Sequence, residues 1–260
     1  MSDTDVYSLA PVTTDVKQDS LWQNEILPAL SSDRLGSLLY GSRARGAHRP
    51  DSDVDVLQLV PSCPRSYSRG RVNVTSYTPD HLIHLARRGS LFVCHLWQEG
   101  VILEDPFGTL STILRNYKAP TSYDPLKTEM AVVLAATATL RPEDFSTGML
   151  RLAIYATRTM LYINAAELAS LTFDTQRAAN ACGVPELASL LRTRRSQDGP
   201  VLSVIGQQLL STDPPEDIPA DLPSIAVWSI ARFPLAAQLL QLAIAGESQI
   251  PYTILTLPLG

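Results

Sequence analysis

Apolar and polar positions along the chain fall into two regimes. Up to about residue 118, short apolar or alternating runs suited to strands are interleaved with helix-like segments. Beyond about residue 124, almost everything repeats with helical spacing. In the first regime the pattern predicts a helix over 20–33, with Leu21, Ile26, Leu27 and Leu30 as its apolar stripe and Pro28 weakening it. Strands are expected at 36–40, 54–60 and 71–77. In the last of these, Val72 and Val74 alternate with Asn73 and Thr75, which sets a polar face against an apolar one. The Pro-, Ser- and Arg-rich stretch 61–70 reads as a loop. Helical spacing returns at 79–88 and 90–98, a short strand fits 101–104, and a helix fits 106–117.

Tyr117-Lys118-Ala119-Pro120-Thr121-Ser122 has the composition of a linker. Helices are expected after it at 124–140, 146–169, 172–182, 185–195, 201–211 and 222–246, the last with Pro234 as a kink. Met149, Leu152, Ala153, Ala156, Met160 and Ile163 share one face and read as core. Residues 212–223, with four prolines, read as a loop. The fold class expected is α+β: a small mixed sheet with flanking helices over 20–118, then an all-helical domain over 124–249. An irregular arm (1–19) and a tail (250–260) bracket them.

Composition narrows the function classes. The hydrophobic fraction of 45% is ample for a core, and the formal charge of -5 supplies no global basic field for nucleic acid. No apolar run reaches membrane-spanning length, and the acidic start Met1-Ser2-Asp3-Thr4-Asp5 has no signal-peptide character. Three scattered cysteines (Cys63, Cys94, Cys182) form neither a zinc pattern nor an even disulfide framework, so a reducing cytoplasm is expected. His81 and His84 could touch one metal by spacing but lack further ligands nearby. The run Arg192, Arg194, Arg195 reads as a solvated helix end. Walker-type and serine-nucleophile signatures are absent.

The chemistry concentrates in one segment. Gly41-Ser42 follows the first strand, and Asp53-Val54-Asp55 opens the second, with ten residues between Ser42 and Asp53. A glycine turn after a strand exposes backbone N–H groups to an anion. Aspartates at i and i+2 of a strand share a face, and hard oxygen ligands of this kind suit Mg²⁺ beside substrate phosphates. Arg43, Arg45 and Arg49 cluster around the turn, either as phosphate contacts or as solvated loop charges.

Gly-Ser followed at this spacing by Asp-x-Asp resembles the signature of the DNA polymerase β-like nucleotidyltransferase superfamily, in its minimal and antibiotic-modifying branches. The resemblance is strong over residues 35–60 and fades by residue 118. It implies that Gly41 and Ser42, with Arg43 and Arg45, hold the triphosphate of an NTP, with ATP expected. It also implies that Asp53 and Asp55 are the catalytic carboxylates and bind Mg²⁺ or Mn²⁺. Such enzymes generally add a third acid from a later strand; here that strand offers Asn73 and Thr75 instead. Asp80, Glu99, Glu104 and Asp105 are further acids in this half, Asp80 reading as a first-turn helix residue.

The resemblance further implies that the helical half contributes from Lys127, Glu129, Arg151, Tyr155 or Arg158, of which Arg151, Tyr155 and Arg158 share a helix face and could equally face solvent. No histidine follows residue 95, which excludes an Arg-x(4–6)-His ribonuclease motif there. The activity implied is transfer of a nucleoside monophosphate to a hydroxyl of a small molecule such as an aminoglycoside. A protein or RNA acceptor, and nucleotide binding without turnover, are the alternatives; no membrane partner is implied.

Overall fold

The computed structural model describes residues 21–50, 52–193, 195–209 and 215–246. The expected arm 1–19, the tail 250–260, Arg194 and part of the proline-rich loop lie outside the described residues. Two compact units divide at Pro120/Thr121. The fold is mixed α+β: a five-stranded mixed sheet with helices in the first unit, then a helical region.

The strands are β1 (Gly36–Tyr40), β2 (Val54–Leu59), β3 (Ser66–Arg69), β4 (Val72–Tyr77) and β5 (Val101–Glu104), in the order β3-β4-β2-β1-β5. β2 is parallel to β4 and antiparallel to β1; the β1–β5 and β3–β4 pairs are also antiparallel. β3 lies inside the stretch expected to be a loop. Its prolines sit before Ser66, and Gly70, at φ +58°, supplies the tight reversal into β4. As an edge strand β3 is mostly exposed, so it carries no apolar run that periodicity could detect.

The register sets one face as Leu39, Val56 and Val74, which pack with Val54, Val72 and Leu103 against Trp22, Ile26, Ala29 and Leu30. These last four belong to a segment expected as one helix. It is instead a wide π-type turn (Trp22–Ile26) running into a three-residue α1 (Leu27–Ala29), with Pro28 inside it. Gln58 is buried on this face and fully engaged: its amide donates to Ser76 Oγ (2.9 Å) and Tyr67 Oη (3.2 Å), and its oxygen accepts from Ser31 N (2.9 Å).

The opposite face carries Leu38, Leu57, Leu59 and Tyr77 under helices α3 (Pro79–Arg87), α4 (Leu91–Glu99) and α5 (Thr109–Arg115). Each fully buried leucine there contributes about 1.5–3 kcal/mol. Gly89, at φ +71°, separates α3 from α4. α5 is shorter than expected because Asp105 caps it, accepting from Leu110 N (3.0 Å) and Ser111 N (2.8 Å).

The second unit contains α6 (Asp124–Ala138), α7 (Thr147–Glu167), α8 (Thr175–Ala181), α9 (Leu187–Thr193), α10 (Gly199–Gln208), α11 (Leu222–Ser229) and α12 (Pro234–Ile244). α6, α7 and α10 pack together as its core, and the α7 stripe from Met149 to Ile163 is buried. The single helix expected over 222–246 is two: Pro234 starts α12 rather than kinking a continuous helix, since proline is best placed in a first turn. Among the described residues no helix is long and apolar enough to cross a membrane.

Candidate active site

The sheet register brings the candidate residues together at one corner of the first unit. β1 ends at Tyr40, which pairs with Asp55 of β2; Asp55 pairs with Asn73 of β4; and Asn73 pairs with Ser68 of β3. All four lie on the helix-bearing face of the sheet, at the end that α3–α5 leave partly open: Asp55 and Asn73 are half-buried and Asp53 is exposed.

Immediately after Tyr40 the chain turns into α2 (Gly41–Ala44). Gly41 adopts φ +75°, which L side chains rarely take. A Cβ built there would lie 2.8 Å from Asp55 Oδ2. Glycine is thus required twice, for the conformation and for the approach of the carboxylate to the backbone. The first N–H groups of a helical turn have no acceptor four residues back, which is why turns of this kind suit an anion. The turn closes through Arg45 N to Gly41 O (3.3 Å), Gly46 N to Arg43 O (3.1 Å) and Ala47 N to Ser42 O (3.0 Å).

Two arginines expected at phosphate bind the protein itself. Arg43 donates to the carbonyls of Ser52 (Nη2, 2.8 Å) and Asp53 (Nε, 3.2 Å), clasping the loop before β2 to the turn. It therefore fixes the distance between Gly41-Ser42 and the aspartates. Arg45 Nη1 donates to Glu99 Oε2 at 2.7 Å, and the same oxygen lies 3.3 Å from His95 Nε2. His95 in turn meets the edge of the Tyr40 ring, 5.8 Å between centroids. Sequence separation hid this cluster: 54 residues part Arg45 from Glu99.

Both ends of the Asn73 amide are hydrogen-bonded within the sheet. Its Nδ2 donates to Asp55 Oδ1 (3.2 Å), and its Oδ1 accepts from Ser68 Oγ (2.8 Å). Ser68 was missed because its segment read as loop. Thr75 is buried, 2% exposed.

Glu104, Asp105 and Asp80 each have a place in the scaffold. Glu104 pairs with Arg34 (2.6 Å), Asp105 caps α5, and Asp80 sits in the first turn of α3, which Thr78 caps. Among the described residues no cluster of three or more His, Cys, Asp or Glu could hold a metal.

In the second unit, Lys127 is buried and paired with Glu167 at 2.5 Å. Glu129, also buried, accepts from Ala236 N (2.8 Å) at the start of α12; burial raises its carboxyl above the usual range. Tyr155 is buried in the helical core and burial raises its phenol. Arg151 is exposed and Arg158 half-buried on α7.

Residues 22–76, which contain this whole corner, match the family model of the nucleotidyltransferase domain. The match covers about a fifth of the chain and makes this segment similar to a nucleotidyltransferase domain. A nucleotidyltransferase-like protein from Exiguobacterium sibiricum 255-15 is a structural neighbour at 16% identity, covering 82% of this chain and 79% of its own, with a TM-score of 0.30. No curated protein matches the sequence.

For a nucleotidyltransferase domain the donor set fits a hard divalent cation. Asp55 lies in β2 and Asp53 immediately precedes it, so two carboxylates stand two residues apart beside the Gly41 turn, and hard oxygen donors of this kind suit such a cation.

Proposed function

We propose that this protein transfers a nucleoside monophosphate from an NTP, ATP by preference, to a hydroxyl of a small molecule such as an aminoglycoside, in the cytoplasm. The observation that supports this reading is the close approach of the Gly41 backbone to Asp55, where a Cβ on the glycine would lie 2.8 Å from Oδ2, beside a strand that carries Asp55 and follows directly on Asp53. The net charge of -5 favours a small, cationic acceptor over nucleic acid.

Asp53 and Asp55 would hold Mg²⁺ or Mn²⁺, which when bound offsets charge building on the phosphates. The N–H groups of Gly41 and Ser42 would orient the β- and γ-phosphates so that they depart as pyrophosphate. Arg43 acts by holding the loop that carries Asp53. The acceptor oxygen bonds to the α-phosphorus as the bridging P–O bond breaks, and the hydroxyl proton passes to water. Most of the rate enhancement would then come from positioning and electrostatics.

The test is pyrophosphate release from each ribonucleoside triphosphate with Mg²⁺ or Mn²⁺, in the presence of a panel of aminoglycosides. Release that needs an acceptor and disappears in an Asp53→Ala/Asp55→Ala variant is the expected result. Unchanged release from the double variant would remove both residues from the chemistry. Turnover only with protein or RNA would move the acceptor to that class.

A second reading, nucleotide binding without turnover, draws on Asn73 standing opposite Asp55 where a third acid is expected. Thermal stabilisation by nucleotide, with no release for any acceptor, would establish it.

A further inference from the structure

Asp55 is braced from one side by a two-residue relay. Asn73 lies directly opposite it in the parallel β2–β4 pair, and Ser68 lies directly opposite Asn73 in the antiparallel β3–β4 pair. Asn73 Nδ2 reaches Asp55 Oδ1 at 3.2 Å, and Ser68 Oγ reaches Asn73 Oδ1 at 2.8 Å. The amide has only one workable orientation. An ionised carboxylate accepts and never donates, so the NH₂ must face Asp55 and the oxygen must face Ser68, whose hydroxyl supplies the proton.

This orientation has an electrostatic consequence. On the Asp55 Oδ1 side, a cation would meet the positively polarised N–H bonds of Asn73 rather than an oxygen. Two-cation sites place their ions about 3.5–4 Å apart and need acceptor oxygens for both. Here the Oδ1 flank carries a donor, while the Oδ2 flank lies against the Gly41 turn. Asp53, two residues back on the same face, is the other carboxylate of the corner.

We propose that Ser68 and Asn73 are positioning residues that set Asp55 for one divalent cation and close the site to a second. This rests on the reading of Asp53 and Asp55 as cation ligands. Exchanging the Asn73 amide for a carboxylate changes no volume. It replaces the blocking donor by an acceptor oxygen and adds a negative charge, so it opens the second seat.

The experiment counts ions directly. Crystals of the full chain grown with Mn²⁺ and α,β-methylene ATP are examined by anomalous scattering, for the wild type and for Asn73→Asp. The wild type should show one manganese peak at Asp53 and Asp55, and N73D should show two. In solution, without nucleotide, N73D should melt below the wild type because two carboxylates face each other. It should then gain more from added Mn²⁺, with affinity raised roughly tenfold by the extra charge. Ser68→Ala should keep one ion and bind it more weakly, since the amide loses its anchor.

Two peaks in the wild type would overturn the proposal, as would one peak in a folded N73D. If N73D fails to fold, the wild-type count and the S68A affinity still decide. No manganese at Asp53 and Asp55 in any variant would instead defeat the cation reading on which this inference rests. That result is distinct from a wrong ion count.

Discussion

The Gly41 backbone and the Asp55 carboxylate occupy adjoining space: a Cβ on the first would come within 2.8 Å of Oδ2 of the second, at a backbone φ of +75°. Gly41→Ala therefore has two separable costs. The left-handed conformation costs about 1–2 kcal/mol, and the steric conflict displaces Asp55. Nucleotide-induced thermal stabilisation should be lost in G41A. Because the second cost vanishes when the carboxylate is gone, G41A and Asp55→Ala should be less than additive in the double variant. Chemical denaturation of the four proteins measures this; strict additivity would show that the two residues do not press on each other.

Arg43 clasps the loop before β2 to the Gly41 turn. Its bonds to the carbonyls of Ser52 and Asp53 are charge-assisted, worth about 1.5–3 kcal/mol when buried and less at this partly exposed position. Arg43→Ala should thus lower stability by roughly 1 kcal/mol and weaken Mn²⁺ binding, because Asp53 loses its fixed approach. Arg43→Lys should recover little, since a single ammonium cannot span two carbonyls as a guanidinium does. If R43K binds Mn²⁺ like the wild type, the clasp is not what positions Asp53.

The contrast between Gly41 and Arg43 marks how far sequence carries. Gly41, Ser42, Asp53 and Asp55 are local features, a turn and an alternating strand, so spacing alone brought them together. The core strands and the α7 stripe were legible for the same reason: burial on one face leaves a period. What was not legible depended on partners distant in sequence. Neither the pairing of Arg45 with Glu99 nor the bond from Ser68 to Asn73 can be read from spacing, because each joins residues on separate elements. β3 was hidden because an exposed edge strand needs no apolar alternation. The Trp22–Ile26 turn and the break before Pro234 show proline acting as a boundary, where periodicity had suggested continuity.

Glu129, one of the acids considered for chemistry, is a cap. It is buried on α6 and accepts from the Ala236 N–H at the start of α12. Glu129→Ala strands that donor and should cost about 1–3 kcal/mol. Glu129→Gln keeps an acceptor oxygen and should fold nearly as well as the wild type. Burial raises this carboxyl, so between its ordinary value of 4.5 and the raised one the folded chain holds more protons than the unfolded. Its contribution to stability therefore falls as pH rises through that window. E129Q should remove this slope from the pH dependence of unfolding. Activity losses in E129Q without a stability change would return Glu129 to the chemistry.

His81 gives the opposite slope. Burial lowers its pKa from 6.5, with His84 one turn on as a lesser cause, and its ring meets the edge of Tyr77 at 5.4 Å. The unfolded chain then binds the proton first. Stability contributed by neutral His81 is fully present above 6.5 and is lost as pH falls from 6.5 through the depressed value. His81→Gln should flatten this part of the stability profile, measured by denaturant unfolding at closely spaced pH values. An unchanged profile would assign the slope to another group.

Thiol chemistry can test the packing beneath the site without any substrate. Cys94 lies buried in α4, and desolvation pushes its thiol up to about 11. At pH 8 only about one molecule in a thousand would carry the thiolate, the form that alkylates. Burial also raises Cys182, which is half-exposed, whereas Cys63 is exposed on the loop before β3. Iodoacetamide followed by peptide mapping should therefore modify Cys63 first, Cys182 later, and Cys94 only on the timescale of unfolding. The helix α4 that holds Cys94 also carries Phe92 and His95, whose rings pack on Tyr40. Nucleotide that tightens the Gly41 turn should slow Cys94 labelling further and leave Cys63 unaffected. Rapid Cys94 labelling in the native protein would mean that α4 opens locally, and the support it gives Tyr40 would then be transient.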